Sequence, residues 1–133
     1  MSKYISAEDN HMKYDNGAIV VSGTVYADGN PCILINGAED DAPVAKATTN
    51  IPHEMSIPVN KTRGQAVLIK DYSENEGVLE TLMKAGIIAL PLGSLPLQVG
   101  DVITRTVTIH YVHVIDDSIV QEIHAASEKR NAA

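Results

Sequence analysis

The stretch Lys70–Ile88, KDYSENEGVLETLMKAGII, is the part of the chain that shows a clear helical period. Its apolar residues recur at helical spacing, at Val78, Leu79, Leu82 and Met83. One apolar face of this kind predicts a helix over residues Glu74–Ala85. Ser73 is followed three residues later by Glu76, which is the spacing of a capping box, so the sequence predicts that Ser73 caps the helix.

The predicted helix needs a surface to pack on, because three turns are too short to be stable alone in water. Gly77 inside its first turns costs about 1 kcal/mol relative to alanine, and Gly86 stands where a C-cap glycine is expected. Val, Ile and Thr are abundant elsewhere in the chain, which favours strands. We therefore expect a mainly β domain, sandwich or barrel-like, with one short α-helix at about residues 74–85.

The length of 133 residues suits a single domain. The chain has no Phe and no Trp, so its core must be aliphatic. The first 17 residues are polar and rich in Asp and Asn, which predicts an N-terminal arm over residues 1–17. The predicted β-rich domain spans residues 18–125, and residues 126–133 form a polar C-terminal tail.

Strand patterns alternate with turn signals along the predicted domain. They cover Ala18–Tyr26, Cys32–Ile35, Val44–Asn50, Ala66–Ile69, Ile87–Leu90 and Val102–Ile115. Ile119–Ile123 is expected to pair back on the last of these strands as a hairpin. Pro91–Gly100 contains two prolines and two glycines and is predicted to be a loop.

Two blocks of the sequence resemble a known class of proteins. The block ATTNIP at Ala47–Pro52 precedes the block AVLIKDYSENEGVLETLMKAGII at Ala66–Ile88. Both are similar to small proteins encoded beside the capsid genes of tailed bacteriophages, and no catalytic residue defines that class. The resemblance implies a non-enzymatic virion structural protein, in the first place a head decoration or cement protein that binds and stabilises the capsid.

The resemblance also implies partners and a location. The partners would be the major capsid protein and copies of the chain itself, in a homo-oligomer. The protein would be made in the host cytoplasm and would end on the capsid surface of the virion. Two alternatives stay open: a head–tail connector or tail component of a phage, and, in a different class, a small β-rich enzyme or ligand-binding module.

The charge argues against other kinds of partner. The chain has 17 acidic and 10 basic residues and a formal net charge of −7. Nucleic-acid binding needs a basic patch, so no nucleic-acid partner is expected. The N-terminus has no apolar run of the kind found in signal peptides. The longest apolar stretch, Ile87–Leu92, is too short to cross a bilayer, so no membrane partner is expected.

No constellation of residues points to catalytic, cofactor or metal chemistry. His110 and His113 are three apart on a predicted strand, so they face opposite sides and cannot share an ion. The acidic run Glu39–Asp41 lacks the ligand spacing of a calcium loop and is expected to be solvated. Cys32, the sole cysteine, lies in an apolar strand and is expected to be buried and inert. Ser73 has a structural role as the predicted cap and lacks a nucleophile-elbow motif.

Five apolar residues are the candidate partner-binding residues. Tyr4 and Ile5 are the apolar anchors of the predicted arm, which is either frayed or bound to a neighbour. Leu92, Leu95 and Leu97 are unusual in a predicted loop. Two explanations apply to these leucines: the loop folds back on the edge of the sheet, or it makes a hydrophobic contact with another subunit.

Overall fold

Two antiparallel sheets and two helices make up the structure, a computed structural model that describes residues 2–49, 57–59, 65–99, 102–103 and 105–132. The mainly β prediction is confirmed, although the described strands form two open sheets and there are two helices in place of one. In chain order the elements are β1 (Lys3–Ile5), β2 (Ile19–Val25), β3 (Pro31–Gly37), β4 (Pro43–Lys46), β5 (Gln65–Lys70), α1 (Val78–Lys84), β6 (Gly93–Val99), β7 (Arg105–Val114) and α2 (Asp117–Ala132).

The first sheet has the strand order β1-β2-β3-β4 and the second has the order β5-β7-β6. Residues 47–49 join the two sheets. The N–H of Ala47 donates to the carbonyl of Ile33 on β3 at 2.9 Å. The N–H of Lys70 on β5 then donates to the carbonyl of Ala47 at 2.8 Å, and the N–H of Thr49 donates to the carbonyl of Leu68 at 2.9 Å. The segment after β4 is thus hydrogen-bonded to both sheets.

An aliphatic core fills the space between the sheets and the helices. Strands β2, β3, β5 and β7 contribute alternate side chains to it, as the period of two requires. Its fully buried members come from both sheets and both helices and include Ile19, Val21, Ile33, Ile35, Val67, Ile69, Leu82, Val112, Val114, Ile119 and Ile123. The opposite face of the second sheet carries a smaller buried cluster of Ile57, Ala66, Leu68 and Ile109.

The central helix begins later than the sequence predicts, and its predicted cap is wrong. Residues Ser73–Asn75 form a 3-10 turn, and α1 covers only Val78–Lys84. Gly77 precedes α1 with a φ of +98°, a conformation that breaks the predicted continuous helix. Ser73 also has a positive φ of 53° and makes no capping hydrogen bond.

Asp71 supplies the hydrogen bonds that the predicted cap was expected to make. Its Oδ1 accepts from the N–H of Gly77 at 3.0 Å and from the N–H of Leu79 at 3.1 Å. These are amide groups at the start of α1 that have no acceptor within the helix. The hydroxyl of Ser73 instead accepts from Nη2 of Arg105 at 2.8 Å.

Replacing Asp71 by alanine should lower the free energy of unfolding by about 1–2 kcal/mol, the usual cost of losing a helix cap. Ser73→Ala is the matched control, and it should change the free energy by no more than about 0.5 kcal/mol because Ser73 is exposed. Urea denaturation with a constant m-value measures both. A larger loss for Ser73→Ala than for Asp71→Ala would contradict the assignment of the cap.

The second helix replaces the predicted final hairpin and polar tail. Ile119, Val120 and Ile123 are all buried, and their spacing puts them on one side of a helix that packs on β2. The Oδ1 of Asp116 accepts from the N–H of Ile119 at 3.1 Å and caps the helix. The prediction of a strand at Ile119–Ile123 is therefore wrong, and α2 crosses the predicted boundary at residue 125.

The described part of the predicted arm lies on the domain. β1 pairs with β2, and Ile5 and Met12 are buried in the core. The N–H of His11 donates to Oγ1 of Thr81 on α1 at 2.8 Å. Residues 2–17 therefore belong to the folded unit in this structure.

Candidate functional site

Of the two predicted partner-binding residues in the N-terminal segment, Tyr4 is exposed and Ile5 is buried. Tyr4 is exposed on β1. Ile5, the next residue, points to the other side of the strand and is 4% exposed within the core. Alternation along a strand explains the difference. Tyr4 alone of this pair offers its side chain to a partner in the folded state.

The leucine segment is a strand, so the predicted loop over Pro91–Gly100 is wrong. Leu92 lies just before β6 and is 63% exposed. Leu95 is half-buried against the smaller cluster under the second sheet. Leu97 pairs with Val107 on β7, and its side chain lies outside the described part of the structure. Of the two explanations, folding onto the sheet describes Leu95, while Leu92 remains open to a partner.

The β6–β7 hairpin projects beyond the rest of the second sheet. β5 pairs with β7 only over Ile109–Val114, whereas β6 pairs with β7 over Arg105–Tyr111. Among the described strands, the outer half of the hairpin is therefore two strands wide. At its tip Val102 is 96% exposed and Ile103 is 83% exposed.

The tip was missed in the sequence because Val102 and Ile103 extend the apolar pattern of β7. Hairpin turns usually carry Gly, Asn, Asp or Pro, each of which suits tight backbone geometry. Gly100 and Asp101 are of this type, whereas the two adjacent β-branched side chains that follow them are unusual at such a place because they are largely open to water. We call Val102 and Ile103 the apolar hairpin surface; Leu92 and Leu90, which is 71% exposed, lie at the other end of β6.

The segment that carries the apolar hairpin surface is also electrically neutral. Between residues 85 and 115 the sequence has one acidic residue, Asp101, and one basic residue, Arg105. The formal net charge of −7 therefore belongs to the rest of the chain. An apolar and neutral surface favours contact with an apolar partner rather than with a charged one.

A cleft of about 320 Å³ lies between β1 and the end of α1, and its basic groups face acids. Nζ of Lys3 lies 3.1 Å from a carboxylate oxygen of Asp116, and Nζ of Lys84 lies 2.9 Å from one of Glu80. The ring of His11 is 4.0 Å from the same glutamate. The cleft therefore offers little uncompensated positive charge to an anionic ligand.

A wider groove of about 570 Å³ is lined by acidic side chains and by the exposed Tyr14. Several of the acids already serve the fold: Oδ1 of Asp40 accepts from the N–H of Ala42, and Glu74 pairs with Lys70 at 2.6 Å. Within the described residues, no group of three or more His, Cys, Asp or Glu side chains is placed to hold a metal ion.

Cys32, Tyr26 and the histidines of β7 lie in ordinary structural surroundings. Cys32 is buried as predicted, and burial raises the pKa of its thiol, which keeps the thiol protonated. Burial also raises the pKa of Tyr26, whose hydroxyl lies 2.8 Å from Oγ1 of Thr48. His110 and His113 stand on opposite faces of β7, and the ring of His110 hydrogen-bonds the hydroxyl of Ser94 at 3.2 Å.

Comparison with known proteins adds no assignment. No protein-family model, curated protein or solved structure matches this chain. In the described part of the chain, no helix is both long enough and apolar enough to cross a membrane.

Proposed function

We propose that this chain is a non-enzymatic structural protein of a tailed-phage particle that decorates the head. The observation that carries the proposal is the hairpin tip, where Val102 and Ile103 are 96% and 83% exposed on a projecting ribbon. The phage-like blocks at Ala47–Pro52 and Ala66–Ile88 supply the class of partner, which is the major capsid protein.

The proposed attachment is apolar. Full burial of a Val or Ile side chain contributes about 1.5–3 kcal/mol, so the two tip residues supply a central contact of several kcal/mol. β6 and β7 are paired up to Val99 and Arg105, close to the tip, so fewer residues lose conformational entropy on docking than in a long free loop. Because the segment is neutral, attachment should depend little on ionic strength.

The head–tail connector or tail alternative uses the same surface and differs in where the chain sits on the particle. Labelling the chain on intact particles distinguishes them, since decoration gives label over the whole head and a connector or tail role gives label at one vertex or along the tail. The enzyme or ligand-binding alternative would use the cleft beside β1, whose cations already face Asp116 and Glu80.

Ile103→Asp should lower occupancy on heads lacking the protein by at least about tenfold, because a carboxylate would have to leave water on docking. Tyr14→Asp is the matched control: it also changes an exposed large apolar residue, but it lies by the acidic groove. Co-sedimentation with such heads, at low and at physiological salt, measures occupancy. The proposal fails if Ile103→Asp binds as fully as the unchanged protein, or if moderate salt strips the unchanged protein from the heads.

A further inference from the structure

The outer edge of β6 is the least protected strand edge of the described sheets. β1 has three residues and carries Lys3, and β4 has four residues and carries Lys46. The second half of the outer edge of β5, Leu68–Lys70, is covered by hydrogen bonds with residues 47–49. β6 has seven residues and no charge, and no described strand pairs with its second side. Charged residues and short length are the usual protection of an edge, and β6 has neither.

We propose that β6 pairs antiparallel with β6 of a second copy of this chain, about a two-fold axis at Pro96. This inference deepens the proposed function, since it names the surface between copies of the decoration protein. It is tested without capsids, so it can fail while the proposed capsid contact holds, and the reverse is also possible.

The position of the axis follows from Pro96. Proline has no N–H to donate, so it interrupts any ladder formed at its outer side. When the axis passes through Pro96, the two prolines lie opposite each other, so their missing N–H groups interrupt the ladder at a single place. The residues of β6 on either side of Pro96 keep their N–H donors. In that register Ser94 of one copy lies opposite Gln98 of the other, because each is two residues from Pro96. Both side chains are exposed in the single chain.

Charge favours this edge over the other surfaces for contact between two copies. Two chains of net charge −7 repel each other. Residues 85–115 hold one acidic and one basic residue, so two copies meet there without adding like charge at the contact. Contact between two copies through the acidic groove by Tyr14 and Asp40 would instead bring like charges together.

Disulfide trapping tests the register. Opposed residues in antiparallel strands have Cα atoms about 4.5–5.5 Å apart, which lies within the separation of about 4.4–6.8 Å that a disulfide spans. Ser94→Cys combined with Gln98→Cys should give a covalent dimer after mild oxidation, seen on a non-reducing gel. The two cysteines cannot join within one chain, because four residues of strand separate them by about 13 Å. Pro96→Cys alone should also crosslink, across the axis.

Two single variants are the controls. Ser94→Cys alone should stay monomeric under the same oxidation, because it faces Gln98 of the other copy. Tyr14→Cys, an exposed position on another surface, should also stay monomeric. Crosslinking by Ser94→Cys alone at the rate of the double variant would overturn the register, and equal crosslinking by Tyr14→Cys would show random collision.

Sedimentation equilibrium of the unchanged protein tests self-association without any substitution. We expect a reversible dimer that Ser94→Lys with Gln98→Lys weakens at least tenfold, since like charges then face each other. Mixing that variant with Ser94→Glu/Gln98→Glu should restore the dimer as a mixed pair. A strict monomer at every concentration, together with no crosslink in the double cysteine variant, would overturn the proposal.

Discussion

Replacing Gly77 by alanine should lower the free energy of unfolding by about 3 kcal/mol or more, a large part of the stability of a small domain. Two causes add up. Gly77 has a φ of +98°, which costs an L-residue about 1–2 kcal/mol. A Cβ at this position would also overlap the carbonyl of His11 and lie 2.9 Å from Cα of Met12, so the N-terminal segment must move away.

Gly86→Ala is the control that separates the two causes. Gly86 also has a positive φ, of 75°, but a Cβ there would have no neighbour within 4 Å. Its substitution should therefore cost only about 1–2 kcal/mol from the backbone conformation. Urea denaturation gives both values, and faster amide exchange at Lys13, whose N–H donates to the carbonyl of Glu76, would report release of the segment. Equal losses for the two variants would show that the segment does not pack on Gly77.

Replacing Gly23 by alanine should push α2 away from the first sheet and destabilise the fold. A Cβ on Gly23 would lie 2.6 Å from the carbonyl oxygen of Ile119 and 2.7 Å from Cγ1 of Ile123. The first of these atoms is helix backbone and cannot turn aside, so the whole helix must shift. Overpacking of this kind costs about 1–3 kcal/mol. We expect a loss in the upper part of that range and a lower helical signal in circular dichroism.

Gly93→Ala is the matched control for Gly23→Ala, because Gly93 also lies in a strand and a Cβ there would meet open space. It should leave the free energy of unfolding within about 0.5 kcal/mol of that of the unchanged protein. A midpoint for Gly23→Ala that matches that of Gly93→Ala would mean that α2 does not rest on β2 at this point.

The strands and the existence of the central helix followed from local pattern. Short apolar runs bounded by turn signals predicted β2, β3 and β5, and the alternation of side chains over Val102–Ile115 predicted β7. The helix start was wrong because the capping-box spacing at Ser73 is satisfied by sequence alone, whereas Asp71 reaches Leu79 across eight residues of folded chain. A motif defined by spacing along the chain cannot detect a capping residue that a turn of the folded chain places beside the start of the helix.

The errors at α2 and β6 have different causes. Ile119, Val120 and Ile123 are apolar positions that locally fit a strand or a helix, and in the structure they lie on a helix that packs closely on Gly23. β6 contains Gly93 and Pro96, which indicate a loop locally. Seven paired positions with β7 outweigh that tendency, since an edge strand tolerates proline on its free side.

The sequence by itself determined an aliphatic core, a mainly β chain, the region of α1 and the neutral character of residues 85–115. These properties depend on residue type and on spacing over a few positions. The tertiary structure alone decided that Ile5 is buried, that Asp71 caps α1 and that Val102 and Ile103 stand exposed at a projecting tip. Each of these depends on which strands pair and how far each pair extends, and that is set by contacts between residues far apart in the chain.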